Sequence, residues 1–353
     1  MIVLFVHEMN RNPARKLLAE ARASLPPIRL VTYQQAFRRL SFPAGTLIFT
    51  DFEFLDGFGM MAAAAIAEAA LRDNPQALIL NHPCHAAERY PLLRRLHRVG
   101  LNPVEITRLD GGDRPARYPV FLRLEDGCLG SETGLITSDE AFDAAIADLR
   151  GSGRPLKRRV AVSFESEPDR EGFFRKYGAF RIGDQIIPQH ILRSADWVVK
   201  SAKSELSEAF NAEEFAYVRD NPHAEALMQM SDIGGLQFGR IDYGTVSGHP
   251  VIFEMNPNPT FPRFSKRGGD RQERRAIILQ AVAAAFAAIS SAENGHRRIG
   301  FAPPLDARRY IQTSRWGAVS RLIWSWRAQL AERRAGGVKR GDPRAGSGYD
   351  TVR

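Results

Sequence analysis

Apolar, strand-length runs alternate with helix-length stretches along the first hundred residues. The runs predict strands at 2–6, 29–32, 46–50 and 77–81, and the stretches between them predict helices at 13–24, 57–72 and 86–99. Strands that alternate with helices in this way are typical of a small α/β domain with a mainly parallel sheet. We expect this domain to cover residues 1–108.

A turn-rich segment at 111–115 separates this region from a different pattern. Beyond it the chain predicts strands at 119–124, 159–165, 177–182 and 185–188, the last two joined by a hairpin turn at Gly183-Asp184. Helices are predicted at 138–150, 212–233 and 272–290, the first of them capped by Ser138. The expected fold class is α/β, with an α+β second domain at 109–295 and a tail at 296–353.

The bulk composition is that of a globular protein. Of the 353 residues, 44% are hydrophobic and 25% are charged, which suits a chain of two or three domains. Cys84 and Cys128 have neither CxxC nor zinc-like spacing, so no disulfide framework or structural metal is predicted. The first residues lack the features of a signal peptide, and the apolar stretches at 60–71 and 277–289 are too short to span a membrane. We expect a cytoplasmic protein.

The net charge of +9 lies almost entirely in the tail. Residues 308–353 contain eleven Lys or Arg and three acidic residues, so the rest of the chain carries only about +1, and no nucleic-acid partner is expected. Apolar residues recur at helical spacing between Trp316 and Leu330, with arginines beside them, and the composition from about 335 predicts disorder. This basic segment, 308–334, predicts a helix that binds an anionic membrane surface or an acidic protein. A helix that packs on the body or in a homodimer is an equal alternative.

The segment at 240–260 predicts a β-hairpin with chemistry on one face. Its two strand-like runs are joined by a glycine-containing turn, which we place at 247–249. Pairing Val246 with Pro250 then brings two pairs of polar residues together on one face. The pairs are Asp242 with Glu254 and Arg240 with Asn256.

Carboxylate and amide oxygens are the donors that Mg²⁺ prefers, and a neighbouring guanidinium can hold a phosphate. The alternative is a hairpin whose polar face is only solvated. It is disfavoured because Ile252 and Phe253 indicate a buried strand, in which Glu254 and Asn256 would be costly without a cation or partner. We therefore predict a magnesium and phosphate site.

The order Arg-x-Asp, glycine turn, hydrophobic strand, Glu-x-Asn and proline resembles the terminal magnesium motif of the ATP-grasp superfamily. Within it, the chain is most similar to carboxylate-amine ligases of the ribosomal-protein glutamate ligase and glutathione synthetase type. The resemblance implies an ATP-grasp domain with a lid subdomain at about 115–165 and a magnesium-site subdomain at about 166–295. It also implies that Asp242, Glu254 and Asn256 bind one or two Mg²⁺ ions, while Arg240 contacts phosphate.

Further segments extend the resemblance over roughly residues 75–290. Arg89 and Arg123 stand where the family carries nucleotide-binding lysines, and 127–134 stands where it carries a mobile phosphate-covering loop. Arginine keeps the positive charge but offers a planar fork instead of an ammonium. Glu165 is the expected ribose ligand, with Glu167 close behind. The basic residues expected to hold the γ-phosphate or an acidic substrate are Arg175, Lys176, Lys200 and His190; each has the alternative of an ordinary surface charge.

The resemblance implies a reaction in which ATP phosphorylates a carboxylate and an amine attacks the acylphosphate. The expected cofactors are ATP and Mg²⁺, and the expected partners are small-molecule or peptide carboxylates and amines. The chain has no P-loop and no Gly-x-Gly-x-x-Gly motif that opens a helix. A small-molecule kinase on the same fold is one alternative, and a degenerate nucleotide-binding module that acts through the basic tail is another.

Overall fold

The computed structural model describes residues 1–126, 130–199, 207–259 and 272–310, and the chain begins with a parallel sheet. The strand order is β2-β1-β4-β5, with every neighbouring pair parallel. The elements are β1 (Ile2–Val6), α1 (Arg11–Ala21), β2 (Ile28–Thr32), α2 (Tyr33–Arg39), β3 (Ser41–Pro43), β4 (Thr46–Phe49), α3 (Gly57–Asp73) and β5 (Ile79–Leu80). The predicted α/β class and the mainly parallel sheet are confirmed, whereas α2 and β3 were not predicted.

Both faces of this sheet are buried, which explains why its strands are continuously apolar. On one face, Phe5 stacks on Phe49 with 4.8 Å between ring centroids, and α3 covers them with a surface of small alanines. On the other face, Ile2 and Ile48 join the core of the rest of the molecule. The parallel sheet is therefore continuous with the remaining layers through its second face.

The second sheet is antiparallel and has the order β6-β8-β7. Its strands are β6 (Ile106–Arg108), β7 (Val120–Leu124) and β8 (Arg159–Ser163). Helix α4 (Arg89–Arg98) precedes the sheet in sequence, and α5 (Asp139–Gly151) packs on it. Val120 and Leu122 pack on α5, whose first turn is capped by the predicted Ser138. Strand alternation turns Phe121 and Arg123 to the opposite face.

The third sheet is also antiparallel, with the order β10-β9-β11-β12. Its elements and helices are β9 (Phe174–Ile182), β10 (Gln185–Ser194), α6 (Glu208–Asp220), α7 (Ala224–Ile233), β11 (Phe238–Val246), β12 (His249–Asn256) and α8 (Gln272–Ala288). The single helix predicted at 212–233 is wrong. Asn221 adopts a left-handed conformation with φ 46° and Pro222 follows it, so the segment divides into α6 and α7.

Asn81 connects the first sheet to the third. It is fully buried and left-handed, with φ 56°. Its side-chain amide donates to the carbonyls of Phe49 and Phe238 at 3.0 and 2.7 Å, and its side-chain oxygen accepts from the backbone N–H groups of Gln237 and Phe238 at 2.8 and 2.9 Å. The end of β5 is thereby fixed to the start of β11.

The chain returns to the first sheet region after α8. Strand β13 (Arg298–Gly300) pairs with β3, and a helical turn at 305–310 follows. In the part of the chain that the structure describes, no helix is long and apolar enough to cross a membrane. The Trp- and Arg-rich segment beyond 310 and the predicted disorder from 335 lie outside the described residues.

Candidate functional site

The hairpin of β11 and β12 brings both predicted polar pairs together. Asp242 pairs with Glu254, and Arg240 pairs with Asn256. The predicted loop at 247–249 is wrong by one residue, because Val246 pairs with His249. Ser247 and Gly248 form a two-residue turn with φ 49° and 80°, the positive values of a type I′ hairpin.

A β-bulge at Phe253 explains why Asp242 still pairs with Glu254 although the turn is one residue shorter than predicted. The pairing runs regularly to Tyr243 opposite Ile252 and then shifts, so that Asp242 lies opposite Glu254. A regular ladder would place Glu254 opposite Ile241 and turn it to the other face. The bulge therefore puts the two carboxylates on the same side of the sheet.

Asp242 is the buried centre of the site. Its carboxylate accepts from the Arg240 guanidinium at 2.7 and 3.2 Å and lies 2.7 Å from the Lys176 ammonium. Burial alone would raise the pKa of Asp242, but the adjacent Lys176 and Arg240 charges lower it below its ordinary value. This carboxylate is therefore held ionised between two cations from β9 and β11.

His190 lies in the same row of the sheet, with Gly178 between it and Asp242. A Cβ atom on Gly178 would come within 2.9 Å of the His190 ring, so the missing side chain lets the imidazole cross the strand. The pairing of β10 also shifts beside this row, between Pro188 and His190. Burial, together with nearby Arg and Lys charges, lowers the pKa of His190 to about 4, so the ring is neutral near pH 7.

Glu254 is held by arginines from two other elements. Arg89, the first residue of α4, forms a salt bridge with the Glu254 carboxylate, and Arg123 on β7 lies 3.5 Å from the same oxygen. Arg89 also donates to the carbonyls of Leu124 and Glu125 at 3.2 and 2.6 Å. Arg89 and Arg123, both predicted to contact the nucleotide, thus meet at the carboxylate of Glu254.

The remaining predicted residues are dispersed. Arg175 is on the opposite face of β9 from Lys176, and its guanidinium is bound by Asp169 and Glu213. Glu165 follows β8 and lies 2.7 Å from Arg117, beside an aromatic group in which Phe164 and Trp197 rings meet at 5.5 Å. Within the described residues, the Glu167 carboxylate forms no ion pair. Lys200 and residues 127–129 of the predicted loop lie outside the described residues.

A further ion pair beside the site was missed by the sequence analysis. Arg274, in the first turn of α8, forms a salt bridge with Glu214 of α6, which is buried and accepts from the backbone N–H of Ile191 at 3.2 Å. Arg274 also contributes to lowering the pKa of His190. The available signal in the sequence was a charged residue, Glu214, on the apolar, inward-facing side of α6. Its partner, Arg274, is sixty residues away in the chain, so the pair itself was not predictable.

The donor types present suit magnesium. Asp242, Glu254 and Asn256 offer carboxylate and amide oxygens, the ligands of a hard cation. In the structure these oxygens bind side chains or backbone: cations hold the two carboxylates, and the Asn256 side-chain oxygen accepts from the Asn258 backbone N–H at 2.8 Å. Within the described ranges, no three His, Cys, Asp or Glu residues are close enough to hold an ion together.

No protein-family model and no curated protein matches the chain. It is similar to the solved structure of D-alanine–D-alanine ligase from Bacillus anthracis, at 11% identity, 82% and 95% coverage of this chain and that one, and a TM-score of 0.46. It is also similar to the ATP-grasp ligase PsnB in complex with a minimal precursor. The identity is 13%, the match covers 81% of this chain and 98% of PsnB, and the TM-score is 0.48. A third similar structure is the RimK domain protein ATP-grasp from Sphaerobacter thermophilus. The identity is 15%, the match covers 80% of this chain and 98% of that one, and the TM-score is 0.44. These proteins are of the kind that the motif at 240–260 resembles. At these identities and TM-scores the similarity assigns no residue roles, which rest on contacts within this chain.

Proposed function

We propose that the protein is an ATP-dependent ligase that joins a carboxylate to an amine through an acylphosphate. The observation that carries the proposal is the convergence of four cationic side chains on two facing carboxylates. Lys176 and Arg240 hold Asp242, while Arg89 and Arg123 hold Glu254. These groups come from four separate elements, α4, β7, β9 and β11, so the fold as a whole assembles them.

The charge balance of this cluster suits a polyphosphate. Within these ion pairs four cations face two carboxylates, an excess of two positive charges, while Glu88, Glu125 and Asp126 also line the opening beside Glu254. Arginine forks bind phosphate oxygens in pairs, and Lys176 can approach a single oxygen. Because charge spreads over the transferring phosphoryl group, fixed cations around it stabilise the transition state more than the ground state.

Asp242, Glu254 and Asn256 are the residues that would hold Mg²⁺. When bound, magnesium supplies further positive charge against the phosphate oxygens. Both arginine contacts of Glu254 are to one oxygen, Oε2, so a cation can approach the other oxygen without breaking either contact. The present ion pairs hold both carboxylates in place before loading, and those of Asp242 also lower its pKa.

Substrate assignment follows from the chemistry of the site and from the similar proteins. One of the similar proteins is a D-alanine–D-alanine ligase and another, PsnB, forms a complex with a precursor peptide, so we infer an amino acid or peptide as the source of carboxylate or amine. Glu165 is assigned to the ribose, next to the aromatic rings of Phe164 and Trp197. Lys176 is assigned to phosphate in preference to Arg175, whose guanidinium is already bound by two carboxylates. Lys200 remains a second candidate.

Calorimetric titration of Mg-ATP into Glu254→Gln and the wild type tests the assignment. We expect at least a tenfold weaker affinity, about 1.4 kcal/mol, because the neutral amide cannot balance the arginines or bind the cation. Asp232→Asn is the matched control, since Asp232 also binds a buried arginine, Arg181, at 2.5 Å, but outside the cluster and outside the predicted phosphate-covering loop.

A screen for phosphate release across amino acids and acidic peptides then tests the reaction. We expect release that requires both a carboxylate and an amine and that falls at least tenfold in Glu254→Gln. A phosphorylated product without free phosphate would indicate a kinase instead. Unchanged binding and release in Glu254→Gln would falsify the assignment of this site.

A further inference from the structure

Exposed apolar side chains are concentrated on one side of the first domain. Of eight large hydrophobic residues that are exposed in the part of the chain that the structure describes, six belong to three short segments, and we call them the apolar strip. The members are Met9, Phe54, Phe58, Met61, Leu305 and Tyr310. A cluster of this kind marks a surface that something covers, in contrast to single exposed apolar residues, which are ordinary.

Ring contacts join the three segments. The His7 ring, two residues before Met9, stacks on Phe54 at 5.1 Å, and Phe58 stacks on Tyr310 at 5.0 Å. Met61 follows Phe58 by three residues on α3, so the two share the outer face of that helix. The inner face of α3 is filled by buried small residues. Phe58 and Met61 thus give α3 a second, exposed apolar face, and the other four members of the strip come from neighbouring segments.

The position of Tyr310 shows where the following chain starts. Tyr310 is the last described residue, and it lies on the strip itself. Residue 316 is six positions further, at most about 20 Å in extended chain. The sequence from there has apolar residues at helical spacing, namely Trp316, Val319, Ile323, Trp326 and Leu330. Their spacing gives one apolar face of about 20 Å if helical, comparable with the length of α3.

The charges beside the strip are complementary to that segment. Glu53 and Asp56 border Phe54 and Phe58 in sequence, and neither forms an ion pair within the described residues. Burial and the nearby Asp51 and Glu88 carboxylates raise the pKa of Glu53, as expected for a carboxyl group without a cation. The segment that follows Tyr310 carries Arg315, Arg321 and Arg327 beside its apolar positions.

We propose that residues 311–330 of this same chain cover the apolar strip, with the face that carries Trp316 and Trp326 on Phe54, Phe58 and Met61, and with Arg315 and Arg327, which flank that face, towards Glu53 and Asp56. The strip adjoins Phe52 and Glu53, which line an opening shared with Glu254 and Asn256. The covering segment therefore lies at the rim of the candidate site. In this proposal the basic segment binds its own chain and not a membrane or another protein.

Tryptophan fluorescence of the full-length protein tests this directly. Three of the four tryptophans lie in the segment, so Trp197→Phe together with Trp324→Phe confines the emission to Trp316 and Trp326, the two on the apolar face. We expect blue-shifted emission and weak acrylamide quenching in this background. Adding Phe58→Glu shifts the emission to the red and raises the quenching constant at least threefold. Adding Val99→Glu is the matched control: Val99 is also an exposed apolar residue but lies after α4, outside the strip, and its replacement leaves both quantities unchanged.

Limited trypsin digestion gives a second measurement that needs no tryptophan substitution. Cleavage after Arg315, Arg321 and Arg327 should be at least threefold faster in Phe58→Glu than in the wild type, with Val99→Glu like the wild type. Equal behaviour of the two glutamate variants in both assays overturns the proposal.

Two other results assign the strip to a different occupant. Emission that turns blue only as protein concentration rises, together with a dimeric mass, assigns it to a second copy. Water-like emission that turns blue only when phosphatidylserine-containing vesicles are added assigns the segment to a membrane surface. Either result overturns docking within the chain and leaves the Mg-ATP titration, and with it the proposed function, unaffected.

Discussion

Replacing Asn81 separates a backbone contribution from a side-chain contribution to stability. Asn81→Ala removes the partners of two backbone N–H groups and two carbonyls, all recorded at 2.7 to 3.0 Å. At about 1 kcal/mol for each buried group that loses its partner, this costs about 4 kcal/mol. Alanine in the left-handed conformation, φ 56°, adds about 1 kcal/mol. We expect a total loss of about 5 kcal/mol.

Asn81→Gly is the matched variant for this measurement. Glycine loses the same four hydrogen bonds but adopts a positive φ without strain. Urea unfolding at neutral pH should therefore show Asn81→Gly about 4 kcal/mol below the wild type and about 1 kcal/mol above Asn81→Ala. Intrinsic fluorescence and far-ultraviolet circular dichroism should give the same midpoints.

Two results would contradict this reasoning. A loss below about 1 kcal/mol in both variants would show that water or neighbouring groups satisfy the four backbone groups. Equal losses in both variants would show that the left-handed conformation at 81 is not retained in the folded protein. The first result would also remove the explanation of how β5 is fixed to β11.

Three further predictions concern the row from His190 to Asp242. Folding lowers the pKa of His190 from 6.5 to about 4, so between these pH values the unfolded chain binds a proton that the folded chain does not. The free energy of unfolding should therefore fall by up to about 3 kcal/mol as the pH falls from 6.5 to 4. In a pH series of urea unfolding, His190→Gln should show a smaller fall over this range. Gly178→Ala should destabilise by about 1 to 3 kcal/mol because its Cβ meets the imidazole at 2.9 Å, and His190→Ala in the same chain should restore most of the loss. Asp242→Asn should cost about 3 kcal/mol by leaving Lys176 and Arg240 without their carboxylate. Since the pKa of Asp242 is lowered, its contribution is complete above the ordinary value of 3.8 and is lost below it, so the two unfolding curves should converge in acid.

Local patterns in the sequence were sufficient to predict most elements and the polar pairs of the hairpin. The pairing of Asp242 with Glu254 was predicted correctly from an incorrect loop, because the bulge at Phe253 was not foreseen. Bulges depend on how a strand fits its neighbours, and a single strand sequence carries little trace of them. The division between α6 and α7 was foreseeable, since Asn221-Pro222 is a typical helix end.

Contacts between distant segments could not be predicted in the same way. Arg89 and Arg123 were identified by position in a family pattern, but nothing in the sequence showed that both reach Glu254. The pair of Arg274 with Glu214 is a contact between two helices that the sequence presents as separate. Such pairs are fixed by tertiary packing, which one sequence without relatives does not reveal.

The bulge at Phe253 has a consequence for how this hairpin can change in evolution. Asp242 and Glu254 share a face only because one extra residue offsets the two-residue turn. Loss or gain of a single residue between them reverses the side of every later side chain. Among homologous sequences we therefore expect the Asp-to-Glu spacing to vary by even numbers, or by odd numbers only where a bulge is lost or gained. A one-residue deletion at the turn would thus be more damaging than a two-residue deletion.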